Sequence, residues 1–224
     1  MLEVEFVGSF GCDCEIAANL RRFYNTERAL PFDWLIIPVT AIPQIIADNF
    51  DLRISPETVS AAPNSKFVIH AQSGIHFHHD FPQEAGAILK ADWREHIPTV
   101  AAKYEALRRR WIDGLEQAQR AALFLNRTGG DPIFSKQPTD EARVQVYRDI
   151  AGALSERFPN TQITLAVSRS GIDPHLSFSH DNVEVVPMPI HDHSDATVGA
   201  EWKGSPRGWD EALSNLNVRY SAAA

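Results

Sequence analysis

The order of segments at the start of the chain constrains its fold most. Residues 3–7 (Glu-Val-Glu-Phe-Val) alternate and then become apolar, which predicts a strand, and residues 8–11 (Gly-Ser-Phe-Gly) end it. Apolar side chains then recur at helical spacing to about Tyr24, and Asp13 is a predicted N-cap that puts Cys14 in the first turn. A strand, a glycine-rich turn and a helix form the opening unit of a parallel α/β sheet.

The same alternation continues along the chain. Helical spacing recurs in residues 41–50, 97–118, 144–158 and 209–216. Apolar or alternating runs predict strands at residues 66–70, 74–79, 121–125, 163–167 and 183–188, the first two as a hairpin. We therefore predict a single α/β domain over residues 1–224, with a three-layer, mostly parallel Rossmann-like sheet and helices on both faces.

The composition excludes several classes of protein. Of the 224 residues 44% are hydrophobic, and a chain of this length buries a sizeable core without disulfides or a structural metal. The net charge of −8 argues against nucleic-acid or membrane partners. The first residues lack a targeting pattern and no apolar run could span a bilayer, so we expect a cytoplasmic location. Phosphate-loop and dinucleotide motifs are missing from the sequence, and we expect no cofactor.

Cys14 is the first candidate for chemistry. Ligands of open parallel sheets bind beyond the carboxyl ends of the strands, and the positive end of a helix favours a thiolate in its first turn. Cys12 precedes the helix and lies too close to Cys14 for a relaxed disulfide, so it is the weaker candidate. The alternative of an inert, buried cysteine stays open.

A thiol nucleophile needs a base, and histidine suits this role because it titrates near neutral pH. His79 follows a predicted strand and precedes Asp80 directly, which makes His79 the candidate base. Asp80 and Asp33 are the candidate carboxylates that orient its ring.

Several short motifs stand in an order that resembles one known family. Residues 9–17 (Ser-Phe-Gly-Cys-Asp-Cys-Glu-Ile-Ala) correspond to its Ser-Leu-Gly-x-Asn-Cys-x-x-Ala opening, and residues 31–34 carry its Pro-Phe-Asp-Trp segment. Further matches are Asp-Asn-Phe at 48–50, His-Asp-Phe at 79–81, Lys-Tyr at 103–104 and Leu-Phe-Leu-Asn-Arg at 123–127. The chain thus resembles a bacterial family of unknown function described as papain-like cysteine peptidases. The resemblance covers about residues 1–130 and leaves residues 131–224 poorly matched.

The resemblance implies that Cys14 is the family cysteine, although Asp13 stands where the family has asparagine. It implies a thiol-dependent acyl hydrolase in which Cys14 attacks a carbonyl and His79 serves as base and later as acid. Backbone N–H groups at residues 11–14 would stabilise the oxyanion. The residues expected to contact a small-molecule, peptide or glycan substrate are Arg127, Trp34, Ser9 and Gly11.

Three other functions stay open at this stage. The position of the cysteine also resembles acyltransferases of surface polysaccharide metabolism. A non-catalytic domain could bind a glycan or another small ligand through Trp34, Trp202 and Trp209. A metal-dependent enzyme could use His76 and His78 together with residues 191–193 (His-Asp-His).

Overall fold

A computed structural model describes residues 2–12, 14–125, 140–168, 172–191 and 201–221. Its helices are α1 Cys14–Tyr24, α2 Ile42–Ala47, α3 Ile97–Gln117, α4 Asp140–Arg157 and α5 Pro206–Asn215. Short 3₁₀ helices lie at Val39–Ala41, Trp93–His96 and Glu201–Lys203. Its strands are β1 Leu2–Val4, β2 Phe6–Ser9, β3 Leu35–Ile36, β4 Val59–Ala61, β5 Val68–His70, β6 His76–Phe77, β7 Gln83–Glu84, β8 Ile88–Leu89, β9 Arg120–Leu125, β10 Gln162–Val167, β11 Phe178–His180, β12 Val183–Pro187 and β13 Val218–Tyr220.

The central sheet, as far as the described residues show it, has five strands in the order β11-β12-β10-β9-β2. Strands β2, β9, β10 and β12 run parallel, and β11 is an antiparallel edge strand. The prediction of a mostly parallel sheet is therefore confirmed. Strand β9 shows why the sequence revealed it: its five residues after Arg120 are all buried, as in a strand covered on both faces.

The two faces of this sheet belong to two separate apolar clusters. Leu123 and Leu165 pack in the cluster that contains buried residues of α3 and α4. Phe124 and Ala166, their neighbours in sequence, pack in the cluster that contains buried residues of α1 and α5. This separation follows from the alternation of side chains along a strand.

A second, antiparallel sheet was not part of the predicted fold. It has the strand order β3-β6-β5-β4, and it includes the predicted hairpin as the pair β5 and β6. The N–H of Gly74 donates to the carbonyl of His70 at 2.9 Å, which closes the hairpin turn. Strand β3 has only two residues, so it is too short to show the alternation from which strands are recognised.

The last described segment returns to the start of the chain. Strand β13 pairs parallel with β1, with Leu2 opposite Val218. Helix α5 begins with the capping side chain of Ser205, which accepts the N–H of Gly208 at 2.9 Å. The Trp209 indole of α5 donates to the Glu15 carboxylate of α1 at 2.8 Å, so this segment is fixed against the helix that carries Cys14. Among the described helices, none is both long enough and apolar enough to cross a membrane.

Candidate active site

The turn between β2 and α1 places Cys14. Both Gly11 and Cys12 have positive φ angles, 75° and 77°, and the N–H of Gly11 donates to the Ser9 hydroxyl at 2.9 Å. This backbone reverses the chain at the carboxyl end of β2, so Cys14 is the first residue of α1 and is half-buried. Cys12 points into the core with 1% of its surface exposed, which agrees with its rank as the weaker candidate.

Cys14 and His79 are 65 positions apart in the sequence, and their side chains lie next to each other in the structure. The Cys14 Sγ and His79 Nε2 atoms are 3.9 Å apart, near the outer limit for a hydrogen bond to sulfur. His79 lies just beyond β6 and is exposed, and the His78 ring beside it stacks on Phe67 at 4.4 Å. The structure therefore brings together the predicted nucleophile and the predicted base. Such contacts are often long before substrate binds.

A pocket of about 500 Å³ opens in front of this pair, lined by Cys14, Trp34, Ile36, His78, His79 and Trp202. The Trp34 ring lies 6.2 Å from the His79 ring and perpendicular to it. The centre of the Trp202 ring lies 6.2 Å from the centre of the Trp34 ring. Ile36 was not among the predicted site residues. It belongs to the two-residue strand β3, whereas Trp34 lies in the turn before it, so no local pattern in the sequence placed both side chains in one pocket.

Asp33 lies beneath the pocket and does not contact His79. It is 3% exposed, and its Oδ2 accepts from the Arg21 guanidinium at 2.6 Å and from the N–H of Leu30 at 2.9 Å. Burial raises the pKa of Asp33 above its usual value, and both hydrogen bonds oppose that rise. The Arg21 guanidinium also lies 5.4 Å from the centre of the Trp34 ring. Asp33 therefore holds Arg21, and Arg21 supports the wall of the pocket.

The Asp80 carboxylate binds residues of α3 and not the neighbouring His79 ring. Its Oδ1 accepts from Lys103 at 2.6 Å and its Oδ2 from the Tyr104 hydroxyl at 2.9 Å, and its side chain is fully buried. Burial, followed by the charges of Asp80, Asp33 and Cys14, raises the pKa of Tyr104 well above its usual value. Within the described residues, neither predicted orienting carboxylate is hydrogen-bonded to His79. The His79 side chain reaches Cys14, whereas the side chain of Asp80 reaches α3.

The other predicted site residues have different positions. Ser9 is 1% exposed, and its hydroxyl accepts the N–H of Gly11, so both residues shape the turn and neither lines the pocket in the described part of the chain. This bond also occupies the Gly11 N–H that was expected to help form the oxyanion hole. Arg127 and Asp13 lie outside the described residues.

The metal hypothesis rested on the other histidines. The rings of His76 and His78 stack on Phe67 at 4.6 and 4.4 Å. The described residues contain no group of three or more His, Cys, Asp or Glu side chains placed to hold a metal ion. Asp192 and His193 lie outside the described residues, and His191 is exposed.

Comparison with known proteins adds one finding. Neither the curated proteins nor the solved structures include a match. One family model matches residues 5–167, which is more than half of the chain and extends past residue 130, where the recognisable motifs ended. The matched part contains the turn with Cys14, the antiparallel sheet with His79, and three of the parallel strands. The chain belongs to the family described as "Putative papain-like cysteine peptidase (DUF1796)".

Proposed function

We propose that this protein is a thiol-dependent acyl hydrolase in which Cys14 is the nucleophile and His79 the base. The observation that carries the proposal is the 3.9 Å contact between the Cys14 Sγ and the His79 Nε2, two residues that line the same open pocket. Cys14 is also the first residue of an eleven-residue helix, where the aligned peptide dipoles favour a thiolate. The family description points to the same chemistry.

The proposed reaction has two halves. In the first half, His79 takes the thiol proton, Cys14 Sγ bonds to the carbonyl carbon, and the bond to the leaving oxygen or nitrogen breaks. The leaving group departs with the proton from His79, and the acyl group stays on Cys14 as a thioester. In the second half, His79 removes a proton from water, the hydroxide attacks the thioester, and the released thiolate regains a proton. If a hydroxyl or an amine replaces water, the same site transfers the acyl group.

The proposal also includes two features of the surroundings. The Asp80 carboxylate is neutralised by Lys103, so the buried charge near Cys14 does not oppose the thiolate. The separation of the two apolar clusters supports a three-layer, Rossmann-like arrangement, with α1 and α5 on one face of the sheet and α3 and α4 on the other.

The pH dependence of Cys14 alkylation tests the Cys–His pair. We expect the wild-type thiol to be half-ionised below the roughly pH 8.5 of a free cysteine, and His79→Ala to move that midpoint upward. His175→Ala removes an exposed histidine elsewhere and is the matched control, which should leave the midpoint unchanged. Intact-protein mass spectrometry identifies the alkylated residue, and Cys12→Ser confirms that the signal comes from Cys14. A midpoint that is the same in wild type and His79→Ala would contradict the proposal.

A second candidate function is a non-catalytic domain that binds a glycan or another small ligand. The pairing of Trp34 with Trp202 at the mouth of the pocket favours it, because aromatic faces are common walls of such sites. The two functions predict different effects of the substitution Cys14→Ser. In a hydrolase it stops turnover, whereas in a binding domain it leaves ligand binding, the only activity, intact.

A further inference from the structure

Half of the described lining of the pocket is apolar: Trp34, Ile36 and Trp202. The other half is the candidate pair Cys14 and His79 with the neighbouring His78, and none of the six residues is Asp, Glu, Lys or Arg. The volume of about 500 Å³ lies within the usual range of small-molecule sites. Two cations lie against this wall, Arg21 at 5.4 Å from the centre of the Trp34 ring and the Lys203 ammonium at 5.3 Å from the centre of the Trp202 ring, but neither lines the pocket. A charged group would therefore lose its hydration in the pocket without a direct ion pair to its described lining.

One part of this wall is apolar and yet exposed to water. Trp202 has 49% of its surface exposed, and Ile88 is the other exposed large apolar side chain of the described residues. The backbone beneath Trp202 is well fixed, because the carbonyl of Lys203 accepts a hydrogen bond from Asn19 of α1 at 2.7 Å. A large indole held in water beside a reactive cysteine has apolar surface available for a ligand.

Trp34 also lies against α1. Its ring is 5.4 Å from the guanidinium of Arg21, which is bonded to the buried Asp33 at 2.6 Å. The Trp34 ring thus contacts a side chain of α1, and the backbone next to Trp202 is hydrogen-bonded to α1, the helix that begins with Cys14. A group lying against them has a defined distance and direction to the thiol, which is what positioning of a reacting carbonyl requires.

We propose that Trp34, Ile36 and Trp202 form a subsite for an uncharged, apolar acyl group, and that this group covers the exposed part of Trp202 when it binds. The inference rests on the proposed function, since the carbonyl of that acyl group has to reach Cys14. It names the substrate class: esters, thioesters or amides of aromatic or medium-length aliphatic acids, in preference to acetyl or acidic acyl groups.

Chloromethyl ketones of the form R–CO–CH₂Cl test the subsite, because R takes the place of the acyl side chain. The Cys14 thiolate forms a bond to the CH₂ carbon, the carbon–chlorine bond breaks, and chloride leaves. The series has R as methyl, hexyl, phenylethyl and carboxyethyl. Intact-protein mass spectrometry over a range of concentrations gives KI, which reports binding of R, and the maximal inactivation rate, which reports the reactivity of the thiol.

We expect KI to fall by about tenfold or more from methyl to hexyl or phenylethyl, and not to fall for carboxyethyl. Trp202→Ala should raise KI by about fivefold for the hexyl and phenylethyl compounds and leave KI for the methyl compound unchanged. Trp202→Phe should keep most of the wild-type difference in KI between the methyl compound and the two larger apolar compounds. Ile88→Ala, which removes the other exposed apolar side chain, is the matched control and should match wild type.

A KI that does not depend on R in the wild-type protein would overturn the subsite, whatever the variants do. A preference for apolar R that Trp202→Ala leaves intact would overturn the assignment of its wall. Failure of the proposed function has a different signature. In that case the maximal rate of inactivation would be slow, and His79→Ala would not change it. The dependence of KI on R would still report whether the subsite exists.

Discussion

Asp80 shows at the scale of a single residue how much depends on where a side chain points. Sequence adjacency made it a natural partner for His79, but its two oxygens bind Lys103 and Tyr104 of α3. Successive side chains of an extended segment point to opposite sides, so being next to His79 in sequence does not bring the Asp80 carboxylate to its ring. No local pattern in the sequence identifies Lys103 as the counter-charge, because that ion pair joins residues 23 positions apart.

The ion pair leads to a prediction about Cys14. Lys103→Met leaves the buried Asp80 carboxylate without its cation, in a region where the Tyr104 hydroxyl senses the charges of both Asp80 and Cys14. A nearby uncompensated carboxylate disfavours the thiolate, so we expect alkylation of Cys14 at pH 7 to slow by about two- to fivefold. Lys103→Arg should restore the rate. Lys90→Met, at an exposed lysine, is the control, and an equal rate in both methionine variants would refute the electrostatic role.

Among the elements, the parallel strands of the central sheet were predicted, its antiparallel edge strand β11 was not, and the antiparallel sheet was predicted only in part. Helices α1, α3 and α4 bury side chains at helical spacing, and strands β9 and β10 bury short continuous apolar runs, so the sequence alone shows both patterns. The hairpin of β5 and β6 was also predicted. Its pairing with β3 was not, because that contact is made between Leu35 and Phe77 and depends on the tertiary fold.

The same distinction holds for the candidate site. Cys14, Trp34 and His79 were predicted from local motifs, and all three line one pocket. Trp202 was predicted only as part of a binding domain, and its place next to Trp34 depends on the packing of residues 201–215 against α1. Contacts between segments so distant in sequence leave no periodic signal.

The turn between β2 and α1 gives a prediction at the scale of the element. A Cβ on Gly11 would lie 3.0 Å from both the Phe32 carbonyl and the Ile37 side chain, in addition to the strain of its positive φ. Gly86 also has a positive φ, 82°, but open space around it. We expect Gly86→Ala to lower the free energy of unfolding by about 1 kcal/mol and Gly11→Ala by about 2–4 kcal/mol. Urea unfolding measures both changes in the free energy of unfolding. Equal changes in the two variants would contradict the prediction, because they would show that the close contacts around Gly11 do not destabilise the alanine variant.

At the scale of the whole molecule, buried or half-buried phenols lie on both sides of the central sheet, and two of them, Tyr104 and Tyr24, have raised pKa values. Tyr104 packs in the cluster with α3 and α4, and Tyr24 packs against the cluster with α1 and α5. Burial raises the pKa of both, and for Tyr104 the charge of Asp80 adds to the rise. The unfolded chain releases these protons near pH 10, whereas the folded chain keeps them. The stability that each buried phenol contributes is therefore fully present below about pH 10 and is lost as the pH rises above it.

Alkaline unfolding tests this account. Each such tyrosine lowers the free energy of unfolding by about 1.4 kcal/mol per pH unit above pH 10. We expect Tyr104→Phe to be less stable at pH 8, because Asp80 loses a hydrogen bond, and to lose stability less steeply above pH 10. Tyr24→Phe should also flatten the decline but without the loss linked to Asp80. Urea unfolding between pH 8 and 11 provides the slopes, and an unchanged slope in both variants would exclude the buried phenols as the cause.

The position of Trp202 has a consequence for how relatives of this protein diverge. The family match ends at residue 167, so the Cys14–His79 pair lies inside the shared region and Trp202 lies outside it. Mutations in the segment with Trp202 can change one wall of the pocket while Cys14, His79 and the wall residues Trp34 and Ile36 stay the same. Relatives that share Cys14 and His79 can therefore differ in the shape of this pocket, and we expect the proposed acyl preference to vary among them.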